Sequence, residues 1–150
     1  MREQFASYEI ALALKELGFN KECLACYYPW SKEEQEFQFI DKTSSNSKCG
    51  FNSHFINSVA IRGCSTPLYQ QVFDWFMKEH NILINVFQWG VKYYLNDELQ
   101  TPRFLFDMET YGGYTDDFIY QSINDELKYE SFYEAREQSI LKAIEIIKNK

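Results

Sequence analysis

No stretch of this 150-residue chain approaches the roughly 18 consecutive apolar residues that a membrane span needs. The apolar stretch nearest the start, Ile10 to Leu14, is flanked by Glu9 and Lys15 and is too short for the core of an export signal. Basic residues are scarce as well: 15 Lys and Arg face 22 Asp and Glu, a net charge of −7. Affinity for nucleic acid comes mostly from Lys and Arg neutralising phosphates, so direct nucleic-acid binding is not expected. There is no phosphate-cradling glycine loop, since Gly112-Gly113 is short and sits among acids. Neither His54 nor His80 lies in a motif tying it to a Ser or Cys, and no G-x-S-x-G occurs. The expectation is a cytoplasmic, non-enzymatic protein with no cofactor and no membrane contact. Its four cysteines should be reduced.

What is abundant is aromatic and acidic. Thirteen Phe, eleven Tyr and three Trp accompany a hydrophobic content of 45 %, enough for one domain with a real core over 1–150. Between Asp97 and Glu137 eleven acids stand against Arg103, Lys128 and Arg136, with Tyr111, Tyr114, Phe118, Tyr120 and Tyr129 threaded among them. Acidic charge beside exposed rings suits docking onto a basic protein groove, such as one built for nucleic acid. Glu109, Tyr114, Asp116, Asp117 and Tyr120 are the candidate contact residues. The bland alternative is a solvated loop that aids solubility, its tyrosines packed back on the sheet.

Three segments carry the i, i+3, i+4, i+7 spacing of amphipathic helices. The first has Ile10, Ala13, Leu14 and Leu17, with Ser7 as N-cap and Gly18 as stop. The second has Tyr69, Val72, Phe73 and Phe76, capped by Thr66 with Pro67 in its first turn. The third has Ile140, Ala143, Ile144 and Ile147, opened by a Ser131/Glu134 capping box. Between the second and third, Ile82–Phe87, Val91–Leu95 and Arg103–Phe106 read as a three-stranded antiparallel meander, with turns at Gly90 and Asn96-Asp97. Phe37–Ile40 is a candidate fourth strand, and residues 41–51 and 111–114 read as loops. The fold class is therefore α+β: a small antiparallel sheet with the second and third helices on one face and the first completing the core.

Several arrangements invite a sharper chemistry. Cys23-Leu24-Ala25-Cys26 is a CxxC, but Cys49 and Cys64 are far apart and His54 is a loose fit for a zinc tetrahedron. Tyr27-Tyr28-Pro29 follows the pair, where a thioredoxin-like motif would need a helix. Small buried thiols are the expected outcome. Asp107, Glu109, Asp116 and Asp117 with Glu126-Leu127-Lys128 could form a magnesium-dependent nuclease or hydrolase site, yet the surrounding charge would repel such a substrate. The helix, three strands, helix order matches double-stranded RNA binding domains, but the final helix opens Ser131-Phe132-Tyr133-Glu134-Ala135-Arg136-Glu137, net negative where those domains grip phosphate.

The segment from Tyr8 to Phe19, with Cys23 and Tyr27-Tyr28, resembles the opening of a group of uncharacterised small proteins of Bacteroidetes and their phages. Thr66-Pro67 with Tyr69–Phe76 is similar to that group's central helix, and Tyr133–Arg136 with Ile140–Ile144 to its closing one. The group carries no established activity. What the resemblance implies is a phage or mobile-element accessory gene acting in the host cytoplasm. The function expected on that basis is a non-catalytic inhibitor of a host nucleic-acid-handling defence system, anti-CRISPR-like, whose partner is a host protein with a basic groove such as a CRISPR effector. The alternatives are the metal-dependent hydrolase above and an accessory protein that self-associates through exposed rings.

Overall fold

The computed structural model describes residues 1–29, 35–39, 54–56, 59–61, 64–90, 93–95, 98–100, 103–111, 118–125 and 129–149. The chain is α+β, with three α-helices and antiparallel strands among the described residues. It gathers into two compact units, Met1–Val72 and Phe73–Lys150.

In the first unit, α1 (Tyr8–Glu16) is followed by strands β1 (Ala25–Pro29), β2 (Gln35–Phe39), β3 (His54–Ile56), β4 (Val59–Ile61) and β5 (Cys64–Thr66). β1 lies between β2 and β5, antiparallel to both, while β3 and β4 pair, among the described residues, only with each other. Gly18 ends α1 because it can take φ +92, where a side chain is strained. Its N–H donates to the Lys15 carbonyl and the Phe19 N–H to the Leu14 carbonyl, the paired bonds of a Schellman stop. A methyl group at Gly18 would touch nothing. Gly18→Ala is therefore expected to cost only the left-handed backbone term, about 1–2 kcal/mol in chemical denaturation.

α1 packs on β5, and Ala11, Tyr27 and Cys64 form a buried cluster flanked by Tyr8 and Phe37. Phe5, Tyr8, Tyr27, Phe37 and Phe39 meet edge to face at 5.3–5.7 Å, an arrangement that favours the ring quadrupoles. Arg2 lies over Phe37, and the Tyr27 hydroxyl donates to the Ala6 carbonyl. These rings explain one departure from the sequence reading. Phe37–Phe39 belongs to this sheet, not to the one after the second helix, and the first helix serves this core.

α2 (Tyr69–His80) begins later than the sequence suggests. Thr66 is not its cap but the last residue of β5, paired with Ala25 and buried. The Gln71 side chain instead accepts from the Leu68 N–H, which Pro67 positions without offering a donor of its own. Val72 and Phe76 of the expected stripe are fully buried, Tyr69 nearly so, and Trp75 joins them while Phe73 is half-buried.

The second unit holds β6 (Ile82–Trp89), β7 (Tyr93–Leu95), β8 (Glu98–Gln100), β9 (Arg103–Thr110), β10 (Phe118–Gln121) and α3 (Phe132–Lys148). Asn81, at φ 58, joins α2 to β6; asparagine tolerates that left-handed turn better than most side chains. The expected meander is corrected here. β6 pairs directly with β9 from Ile82↔Thr110 to Trp89↔Arg103, and the third strand of the sheet is β10. Tyr93–Leu95 pairs, among the described residues, only with β8, as the tip of the β6–β9 hairpin, in a register displaced by one residue. The physical reason is chain length: three residues separate β6 from β7 but two separate β8 from β9, so one register cannot run through. Asn96 and Asp97 lie outside the described residues, though Leu95↔Glu98 pair on either side of them.

α3 packs across β6 and β9. Ser131 accepts from the Glu134 N–H, and the Glu134 carboxylate accepts from the Glu130 N–H, one residue beyond the N-cap N–H that it would take in a full capping box. Ser131→Ala should cost about 1 kcal/mol; a change below a few tenths on a denaturation curve would show that the cap is redundant. Ala135, Ile140, Ala143 and Ile144 are buried as the periodicity indicates, and Ile147 is half-buried. Arg136, also buried, lays its guanidinium over the rings of Tyr133 and Phe132, at 5.1 and 5.8 Å.

Candidate functional site

Directly opposed residues of an antiparallel pair share a face, and neighbours along a strand alternate. In the β10-β9-β6 sheet this puts Ile84, Val86, Phe106, Met108 and Tyr120 on one side. That side meets α3: Phe104 contacts Phe132 edge to face, and the Lys142 ammonium sits 5.0 Å from the Tyr120 ring. Asn85, Phe87 and Trp89 of β6, Asp107 and Glu109 of β9, and Phe118 of β10 lie on the other side.

That second face is the candidate site. The Asn85 Nδ2 donates to Asp107 Oδ1 at 3.0 Å and to Glu109 Oε1 at 3.2 Å, so one neutral amide holds two carboxylates side by side. Among the described residues no cation pairs with either carboxylate; Arg103, on the same face, is bridged to Glu130 at 2.8 Å. Rings flank the pair. Trp89 is 50 % exposed, Phe118 44 % and Phe87 37 %, and Tyr111 is exposed just beyond β9. The face is not bare throughout, since Leu105 is buried and Leu83 half-buried. Chemically the arrangement offers two carboxylates that no cation among the described residues compensates, held by a shared hydrogen-bond donor within a rim of apolar rings. It suits binding of a cationic surface.

The structure separates the residues singled out from the sequence. Glu109 lies on this face. Tyr120 lies on the opposite one, half-buried and stacked on Phe106 at 5.5 Å. Tyr114, Asp116 and Asp117 lie outside the described residues, as do Gly112-Gly113, residues 41–51 and the Glu126-Leu127-Lys128 triplet. Asn85, Phe87 and Trp89 went unrecognised because they precede the acidic run. Their odd-numbered spacing in a β-branched, aromatic segment was the available signal.

The CxxC does not open a helix: Cys26 is in β1, opposite Ser65 of β5. Cys23, Cys26 and Cys64 are buried, and Cys49 lies outside the described residues. Among the described residues no group of three or more His, Cys, Asp or Glu is placed to hold a metal ion. Burial, with Cys64 and Cys26 close by, pushes the Cys23 thiol from 9.0 up to about 12, and burial pushes Cys64 up to about 11 despite Lys15. A thiol raised on folding is protonated and unreactive at neutral pH. The stabilisation from this tighter proton binding is complete below pH 9 and falls away as pH rises from 9 to about 11 for Cys64 and about 12 for Cys23, because over that window the unfolded chain gives up the thiol proton while the folded form keeps it. Iodoacetamide at pH 8 should leave Cys23 and Cys64 unmodified in the native protein and label both in denaturant, read by peptide mass spectrometry. Rapid native labelling of either would contradict their burial.

No helix of the described residues is long and apolar enough to cross a membrane. No protein-family model, curated protein or solved structure matches this chain.

Proposed function

We propose that this protein is a non-catalytic docking module that presents an acidic, aromatic-rimmed sheet face to a basic groove of another protein. One observation carries the reading: Asp107 and Glu109 are held together by Asn85 with no cation on either among the described residues, inside a rim of exposed Phe87, Trp89 and Phe118. Charge of this kind speeds encounter and selects the partner, and buried rings supply the holding energy. Binding to the basic partner weakens as salt rises, because exposed charges are screened within about 10 Å at 0.1 M.

The narrower form is an inhibitor of a host nucleic-acid-handling defence protein, anti-CRISPR-like and encoded by a phage or mobile element. It is supported by the acidic balance, which matches a groove shaped for a polyanion, and by the resemblance of the helical segments to phage-associated proteins. Asp116 and Asp117 add two acids, and Tyr114 a ring, in the stretch of sequence between β9 and β10.

The test begins with immobilised protein, host lysate at low and moderate salt, and identification of what is retained. Each retained protein is then purified and assayed for nucleic-acid binding and cleavage with and without this chain. Dose-dependent inhibition, relieved by added nucleic acid and lost with Asp107→Lys plus Glu109→Lys, is the expected result. Inhibition undiminished by that double variant overturns the reading.

A further inference from the structure

The β10-β9-β6 sheet has two edges, and they are built differently. β10 spans four residues and its register shifts between Phe118 and Tyr120, irregularities that spoil a template for another strand. β6 spans eight residues with an unbroken register against β9. Its sequence, Ile-Leu-Ile-Asn-Val-Phe-Gln-Trp, has no Pro, no Gly and no charge, the devices that usually blunt an edge.

The direction of β6's backbone groups follows from four hydrogen bonds. The Tyr111 N–H donates to the Asn81 carbonyl, which makes 81/111 a hydrogen-bonded pair. Alternation then assigns Leu83, Asn85, Phe87 and Trp89 to the bonds with β9. Independently, Phe104 exchanges both of its backbone bonds with Tyr129, and the Phe106 N–H donates to Ser122 Oγ, so the even-numbered residues of β9 point away from β6. The N–H and C=O groups of Ile82, Ile84, Val86 and Gln88 must therefore point out of the sheet, and among the described residues no strand pairs with them. At the Trp89 end this edge is open, with Phe87, Gln88 and Trp89 all exposed.

Resting on the docking role of this face, we propose that the outer edge of β6 takes up an extended, Lys- or Arg-bearing segment of the partner as an added strand. The backbone of that segment pairs with Ile84, Val86 and Gln88, the usual source of affinity in strand addition. Alternate side chains of the segment fall on the face that carries Asn85, Phe87 and Trp89. Charge complementarity selects cations there: Asp107 and Glu109 lie on the next strand but one, about 9–10 Å from the added backbone, a gap that a long cationic side chain and a carboxylate close between them. The exposed faces of Trp89 and Phe87 favour the same cations through their ring quadrupoles.

The experiment titrates the full chain with a blocked eight-residue peptide alternating Lys with Val, followed by calorimetry and amide NMR. Controls are the Glu–Val counterpart and a Lys–Val peptide N-methylated on the pairing edge. The Lys–Val peptide should bind with shifts centred on Val86 and Gln88, and the Glu–Val peptide should not. N-methylation, or Gln88→Pro, which removes an outward N–H without touching the bonds to β9, should weaken binding by at least about tenfold. Undiminished binding of the N-methylated peptide overturns strand addition while leaving the docking face in place. Equal binding of the Lys and Glu peptides overturns the docking reading itself. Failure of the Lys–Val peptide to bind, or self-association that Gln88→Pro abolishes, overturns the assignment of a basic segment to this edge.

Discussion

Phe106→Ala is expected to remove about 3–5 kcal/mol of stability, a large part of the roughly 5–15 kcal/mol that holds a domain of this size together. Phe106 is 2 % exposed, near the middle of β9, and its ring stacks on Tyr120 at 5.5 Å and Tyr129 at 5.8 Å. Truncation would empty the space between two rings that are themselves anchored, Tyr120 by its strand and Tyr129 by the bridge to Phe104. Neither can collapse freely, so the cavity term adds to the lost transfer energy. Phe106→Leu keeps most of the volume and should cost clearly less. Denaturant titration of both variants decides the matter. A loss below about 1 kcal/mol for the alanine variant would mean the three-ring stack is not part of a rigid core.

The second large effect is on binding. Asp107→Lys with Glu109→Lys should lower affinity for the basic partner by about a hundredfold or more, since it turns two attractive groups into repulsive ones at the centre of the face. Asp107→Asn with Glu109→Gln should lose less, and should flatten the dependence of affinity on salt, because the charge goes while the shape stays. Both carboxylates accept from the same Asn85 amide. Asn85→Leu should therefore weaken binding through misplacement of the acids rather than loss of charge, leaving the salt dependence in place. A double reversal that binds like the wild type would place the contact elsewhere, with Asp116 and Asp117 the next charges to reverse.

The helices were legible in the sequence because a helix is a local object. The i, i+3, i+4, i+7 stripes, Gly18 and the Ser131/Glu134 spacing each act within a few residues, and the structure uses each of them. Thr66 misled for an instructive reason. A threonine before a proline has the chemistry of a cap, but pairing with Ala25, some forty residues earlier, claims it for a strand. The same holds for Tyr93–Leu95, whose composition is that of a sheet strand and whose place is set by residue counts on both arms of the hairpin.

The acidic run shows where local reading stops. Composition identifies charge beside rings but cannot say which side of a sheet each residue takes. Tyr120 and Glu109 come from one acidic aromatic stretch and end on opposite faces, because β10 meets β9 with Tyr120 opposite Met108 and Phe118 opposite Glu109. Asn85, far outside that stretch, becomes the group that organises it.

By itself, then, the sequence determined the α+β class, the three helices with their buried stripes, the acidic balance and the location of charge near Glu109. These follow from periodicity and composition, which are carried by neighbouring residues. The tertiary structure alone decided which strands pair, which face α3 covers, which edge stays open, and that Asn85 joins Asp107 and Glu109. Those depend on register between distant segments, where a shift of one residue would exchange the covered face for the open one.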